Sequence, residues 1–172
     1  MDDIKELYRK SGELHGHYCP GLAIGVRAAV EACRILETGG KKHGVYCIAE
    51  SKACYLDGIQ MVFGATWGNG GLELRDRGKT AFDFYDRETG KSVRLCAVKW
   101  PAGLDKEAMI DFILTAPLEQ VFKTGEVHFD LPDGAFKRPG KAVCSVCGEE
   151  CSESFLRIKN GAVVCLDCFE KK

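Results

Sequence analysis

The 172-residue chain carries a formal net charge of −1, with 45% hydrophobic and 28% charged residues, the balance of a soluble globular protein with room for one ordinary core and a small extra module. Near-neutral charge excludes a general attraction to nucleic acid or anionic membrane, and no apolar run is long enough to span a bilayer. The opening Met1-Asp2-Asp3-Ile4-Lys5-Glu6 lacks a hydrophobic signal core, and the ten cysteines are spaced for metal rather than for disulfides, so a reducing, cytoplasmic setting is expected.

The first distinctive stretch is His15-Gly16-His17-Tyr18-Cys19-Pro20-Gly21. In an extended segment the alternate residues His15, His17 and Cys19 share one side. Four extended steps cover about 13 Å, so gathering all three around one ion requires the chain to curl, and His17 with Cys19 is the preferred pair. Pro20 suits the first position of a helix and leaves Cys19 as its N-cap, where the helix dipole favours the thiolate. The apolar run from Leu22 to Val30, broken mainly by Arg27, predicts a buried helix ending at Glu37-Thr38-Gly39-Gly40. The competing reading is that Cys19 is only a buried cap and that the histidines are polar turn residues.

Residues 44–50 are rich in β-formers and predict a strand. Ser51 is placed to cap a second helix over 52–63 that stops at Gly64. The glycine-rich stretch 64–71 reads as a loop in which Trp67 and Asn69 either shape a pocket or merely pack a turn. Strands at 80–86 and 92–99 flank the turn-like Arg87-Glu88-Thr89-Gly90. Met109, Ile110, Ile113 and Leu114 repeat at helical spacing over 106–116. After Pro117, a short helix at 118–122 and a strand at 126–131 are expected, followed by a linker over 132–140. The order of elements indicates an α+β domain over residues 1–136.

Cys54 and Asp57, three apart near the start of the second helix, face one way and supply partners for the first motif. His17, Cys19 and Cys54 would give three metal ligands with a fourth position open to water or substrate, the pattern of a catalytic ion. Asp57 would orient a ligand or accept a proton, which makes Cys19 and Asp57 the catalytic candidates, with His15 and Trp67 as contacts in the cleft. Against this stands ordinary burial of Cys54 as a small hydrophobe, the reading adopted for Cys33, Cys47 and Cys96. His43 and His128 lack ligand-type neighbours in sequence.

Cys144-Ser145-Val146-Cys147 and Cys165-Leu166-Asp167-Cys168 form two C-x2-C knuckles, a strong signal for a structural zinc held by four thiolates. Residues 141–172 contain too few large apolar groups to fold unaided, so the ion would supply the folding energy of a separate zinc-finger domain. Cys151 is an extra thiol able to replace a knuckle ligand. Basic residues in this segment are matched by acidic ones, which argues for a structural or protein-contact role over nucleic-acid binding.

Taken together, the His15–Gly21 motif before an apolar helix, Cys54-x-x-Asp57-Gly58-Ile59-Gln60, Gly64-Ala65-Thr66, Asp76-Arg77-Gly78-Lys79-Thr80-Ala81-Phe82 and the terminal cysteine knuckles resemble the FmdE-like proteins of formylmethanofuran dehydrogenase over nearly the whole chain. The resemblance implies a mixed-sheet α+β domain with packed helices, a metal-binding cleft carrying the His/Cys motif, an intertwined homodimer, and a zinc-ribbon or treble-clef-like finger. Nothing in the chain looks like a pterin site. Where many such relatives carry a lysine in the glycine run, this chain has Trp67-Gly68-Asn69-Gly70-Gly71. The expected protein binds a structural zinc and a second ion, zinc or another transition metal, with a small-molecule ligand at the cleft. The alternatives are an accessory or metal- and redox-sensing module that binds a protein partner, and a metal-free thiolate enzyme acting through Cys19.

Overall fold

The computed structural model describes residues 3–39, 44–131 and 140–171 and divides into two compact units, residues 1–135 and 136–172. The predicted linker and His43 lie outside the described residues, apart from Gly140.

The first unit begins with a helix that the spacing of the histidine motif does not predict, α1 at Ile4–His15. Asp3 caps it by accepting the Lys5 N–H, and Arg9 pairs with Glu6 and Glu13 along the solvent side. Leu7, Tyr8, Ser11 and Gly12 form the buried stripe, the period-3.6 pattern of an amphipathic helix. Gly16 ends it at φ +87°, a left-handed conformation that glycine adopts without penalty.

Helix α2, Pro20–Ile35, starts with Pro20 at its first turn and the Cys19 sulfur accepting the Leu22 N–H. It is buried almost all round. Even its charged residues are enclosed: Arg27 pairs with Glu31 and donates to the carbonyls of Leu114 and Ala116. Those carbonyls end helix α4, Lys106–Thr115, so a guanidinium from one helix closes the negative end of another.

Strand β1, Val45–Ala49, leads to helix α3, Tyr55–Phe63. The predicted cap at Ser51 does not form: Ser51 Oγ donates to the Lys79 carbonyl instead, and the helix starts after Cys54. Gly64 closes it at φ +65°. The remaining elements of the sheet are β2 at Leu72–Leu74, β3 at Ala81–Asp86, β4 at Ser92–Ala97 and β5 at Phe122–Gly125, the last following directly on the short helix α5 at Leu118–Val121. Their order is β2-β1-β3-β4-β5, with β2 parallel to β1 and the other pairs antiparallel. The fold is thus the expected α+β with a mixed sheet.

Alternation along the strands sorts the two faces. Val45, Cys47, Ala49, Phe82, Phe84, Val93 and Leu95 join the helices in the main core. Tyr46, Ile48 and Tyr85 face the other way and are covered by Val127, Phe129 and Leu131. The strand expected at 126–131 is therefore corrected. Its alternating apolar residues pack over the outer face, and the His128 and Phe129 amides donate to Asp83 Oδ2 rather than to a ladder. Asp83 is fully buried with Glu50 and Arg94, whose guanidinium bonds Glu50 Oε1 and lies 3.4 Å from Asp83 Oδ1. His128 Nδ1 stands 3.7 Å from the same Glu50 oxygen.

Helices α2 and α3 meet through glycines. A Cβ at Gly25 would fall 2.0 Å from the Tyr55 carbonyl oxygen, and one at Gly58 would fall 2.7 Å from the Val26 nitrogen. Main chain touches main chain there, and no side chain intervenes.

The second unit contains two hairpins, β6 (Lys141–Val143) with β7 (Glu150–Ser152) and β8 (Leu156–Lys159) with β9 (Ala162–Cys165). A 3-10 turn at Glu153–Phe155 joins the hairpins, and helix α6, Leu166–Glu170, follows. Its interior consists mainly of Cys144, Val164, Cys165 and Cys168, which is too little apolar surface to hold a fold without another source of energy.

Candidate metal centres

The ends of three helices converge on the first cluster. His15 is the last residue of α1, Cys19 caps α2, and Cys54 immediately precedes α3. The segment 15–19 is not extended as expected. The left-handed turn at Gly16 folds it back and brings the His15 and His17 rings to 4.3 Å between centroids. As a result, one ligand atom from each of His15, His17, Cys19 and Cys54 lies within 4.8 Å of the other three. Sequence spacing alone sets His15 aside as a contact; the turn brings it into the group.

The tautomer of His15 follows from its partner. Nδ1 is 2.7 Å from Asp57 Oδ2, and a carboxylate only accepts, so Nδ1 carries a proton and, in the neutral ring that a metal ion binds, Nε2 has the lone pair. That Nε2 is buried and has no hydrogen-bond partner, an arrangement that costs free energy unless something binds the nitrogen. Two thiols and imidazole nitrogens suit zinc or another borderline-soft transition ion, and a carboxylate behind a ligating histidine is the usual outer support of such a site.

The sulfurs are close to each other and to the chain. A Cβ at Gly21 would lie 3.2 Å from Cys54 Cβ and 3.8 Å from both the Cys19 and Cys54 sulfurs, so the absence of a side chain leaves room for both thiols. Burial, followed by the neighbouring Cys19 thiol, raises the Cys54 pKa above its ordinary value. An ion would offset that penalty by binding the thiolate. The Tyr8 hydroxyl donates to the Cys19 carbonyl at 3.2 Å, and burial pushes its own pKa up to about 12. His17 is the exposed member of the four.

Asp57 Oδ1, the oxygen not facing His15, accepts from Gln60 Nε2 at 3.1 Å. Gln60 Oε1 in turn accepts the Trp67 backbone N–H at 3.0 Å. The Trp67 indole is exposed, so only the backbone of that residue is tied to the site. Asn69 is a structural staple: its Oδ1 accepts from the Thr66 and Gly71 N–H groups, and its Nδ2 donates to the Gly64 carbonyl. The part played by Gln60 is not expected from the sequence. Its signal there is the position of a second polar residue one turn after Asp57 on the same helix face.

Cys33 and Cys47 are buried in the core and Cys96 is half-buried in β4, in keeping with packing roles. The second cluster lies in the C-terminal unit, where Cys144, Cys147, Cys165 and Cys168 also place their sulfurs within 4.8 Å of one another. Backbone N–H groups, those of Cys147 and Cys165 first, lower the Cys144 pKa to about 6, so the folded arrangement favours a thiolate at that position, the form a metal ion binds. Cys151 lies beside this cluster and packs against it without joining the four.

Comparison with known proteins agrees with this division. The family model for FmdE of the molybdenum formylmethanofuran dehydrogenase operon matches residues 14–123. The prokaryotic dksA/traR C4-type zinc finger matches residues 138–172. A probable S-adenosyl-L-methionine-binding protein of Archaeoglobus fulgidus is 34% identical over 97 residues, which cover 54% of this chain and 26% of that protein. The chain therefore matches about a quarter of that relative's length. The crystal structure of a tungsten formylmethanofuran dehydrogenase FmdE-like protein from Syntrophus aciditrophicus superposes with a TM-score of 0.68 at 22% identity, covering 97% of this chain and 92% of that one.

Proposed function

Because the chain belongs to the FmdE family, whose model spans residues 14–123, we propose that its N-terminal unit holds a transition-metal ion through His15, His17, Cys19 and Cys54, beside a structural zinc held by Cys144, Cys147, Cys165 and Cys168. The observation that carries the first site is the grouping of one ligand atom from each of these four residues within 4.8 Å of the others, with a buried His15 Nε2 that has no hydrogen-bond partner. The ion would supply Lewis-acid polarisation of a bound group.

The chain's own residues have separable roles. Asp57 holds the Nδ1 proton of His15 and so aims the Nε2 lone pair. With both carboxylate oxygens engaged, it acts as an orienting group rather than a free base. Cys19 and Cys54 supply negative charge, and the Leu22 N–H bonded to the Cys19 sulfur fixes that sulfur at the head of α2. His17, being exposed, is the donor at which an external ligand competes for the ion. This replaces the three-ligand scheme with a four-donor one in which the open position arises by exchange at His17.

Metal analysis tests the proposal. Wild type should hold two ions per chain and a Cys19→Ala/Cys54→Ala variant one; equal metal in both overturns the N-terminal site. S-adenosylmethionine, taken from the name of the Archaeoglobus fulgidus relative, is the first small molecule to titrate against the metal-loaded protein. A homodimer and a cytoplasmic location belong to the same proposal, and sedimentation of the metal-loaded protein tests the former.

A second reading, an accessory module that binds a protein partner, draws on the C-terminal unit. Val143, Val146, Phe155, Ile158, Val163 and Phe169 are all exposed there, and a concentration of apolar side chains on so small a unit fits a protein contact better than a phosphate contact.

A further inference from the structure

Gln60 is not a donor to the metal cluster, yet its amide is engaged at both ends. Nε2 donates to Asp57 Oδ1 at 3.1 Å and Oε1 accepts the Trp67 N–H at 3.0 Å. The orientation is forced by chemistry: a backbone N–H only donates and a carboxylate only accepts, so the oxygen must face Trp67 and the NH2 must face Asp57. Asp57 Oδ2 then accepts a hydrogen bond from His15 Nδ1–H at 2.7 Å. An unbroken series of hydrogen bonds runs from the main chain of the 64–71 loop to His15 Nδ1, across the ring from the unpartnered Nε2. The far side of that loop is fixed by Asn69, whose side chain bonds Thr66, Gly71 and Gly64. The loop is therefore a firm support, and its one side-chain-mediated link to Asp57 among the described hydrogen bonds is Gln60.

We propose that Gln60 is a positioning residue of the metal centre, coupling the conformation of the 64–71 loop to the aim of His15 through Asp57. The inference rests on the reading that His15 is a ligand. Its consequence is reciprocal: anything that displaces the loop weakens the His15–metal bond, and metal loading firms the loop by the same free energy.

Cobalt(II), added to protein whose four-cysteine site is filled with zinc, provides the test through affinity and ligand-field bands, neither of which depends on a known reaction. Gln60 is only partly buried, so Gln60→Met should preserve the fold while removing both hydrogen bonds. Loss of a direct partner of a ligating histidine costs about 10- to 100-fold in metal affinity; Gln60 stands one hydrogen bond further out, so its loss should fall at the lower end, about tenfold, and a shift of the cobalt bands should accompany it. Gln60→Glu keeps an acceptor for Trp67 but sets a carboxylate against Asp57, and should weaken cobalt at least as much. Gly68→Ala, whose new Cβ meets nothing within 4 Å, should leave affinity unchanged. Cobalt should slow hydrogen exchange at the Trp67 amide in wild type and not in Gln60→Met.

The failures are distinguishable. If wild type takes up no cobalt beyond the zinc-filled site, the metal proposal itself falls. If wild type binds cobalt and Gln60→Met shows the same affinity and bands, the coupling falls and the metal site stands. Should both Gln60 variants unfold, Asn69→Ala loosens the other side of the loop with Gln60 intact, and undiminished cobalt affinity there overturns the coupling.

Discussion

Replacing Gly25 by alanine tests whether the distance between α2 and α3 sets both stability and the ligand geometry. The added Cβ would lie 2.0 Å from the Tyr55 carbonyl oxygen and 2.7 Å from Tyr55 C and Cα. These are backbone atoms, so no rotamer change relieves the clash. Restoring even a 3.0 Å approach requires the helices to separate by about 1 Å, and overpacking of this type costs about 1–3 kcal/mol, with main-chain clashes at the upper end. Cys19 heads one of these helices and Cys54 immediately precedes the other. An ångström between them exceeds the roughly 0.2 Å tolerance of metal–ligand bonds. Urea denaturation of the metal-free protein should show a loss of about 3 kcal/mol, and chelator competition should show weakened metal binding at the N-terminal site. Gly125→Ala, with nothing within 4 Å of its Cβ, serves as the comparison. A Gly25→Ala protein as stable as wild type would refute the argument that the two main chains are in contact.

Other expectations are equally specific. Arg27→Met leaves the last carbonyls of α4 without their guanidinium and buried Glu31 with the exposed Arg34 in place of its buried partner, and should cost about 3 kcal/mol in denaturant unfolding; adding Glu31→Leu should recover part of that loss. Burial raises the pKa of Asp83 against the opposing amides of His128 and Phe129, so between the unfolded and native values the native state holds a proton that the unfolded chain has lost. Its contribution to stability is therefore full below the ordinary carboxyl pKa and declines as pH rises through the raised native one. The stability difference between wild type and Asp83→Asn should fall as pH rises above the ordinary carboxyl pKa and through the raised native one, and a flat difference would contradict this. Stripping metal with a chelator, or substituting Cys165→Ala, should collapse the amide resonances of residues 140–171 while those of the first unit's sheet persist, since structural zinc supplies about 10–16 kcal/mol of folding free energy.

What can be read in the sequence is local chemistry. Pro20 after Cys19 announces a helix and its cap, Gly64 a stop, and the paired C-x2-C knuckles a four-sulfur cluster. Helix α1 is hidden when residues 15–19 are treated as extended, because an extended motif leaves its N-terminal flank without a terminator. Asp3, the buried positions Leu7, Tyr8 and Ser11, and Gly16 as terminator carry the necessary signal. The 126–131 segment misleads because period-2 alternation describes any chain lying across a sheet, whether or not its amides enter a ladder. The proximity of Cys54 to Cys19, and of Asp57 to His15, depends on the bare approach of two glycines in different helices, which no local pattern records.

The corner between α1 and α2 has a consequence for the order in which a metal centre can assemble. Three of the four donors, His15, His17 and Cys19, lie within five consecutive residues, while Cys54 arrives from 35 positions later. Closing so short a segment costs little chain entropy compared with closing the longer loop. With the proposed ligand set the corner would be a tridentate chelate in its own right, able to capture an ion while α3 is still free, and the bound ion would then give Cys54 a fixed target during the search for the native helix pairing.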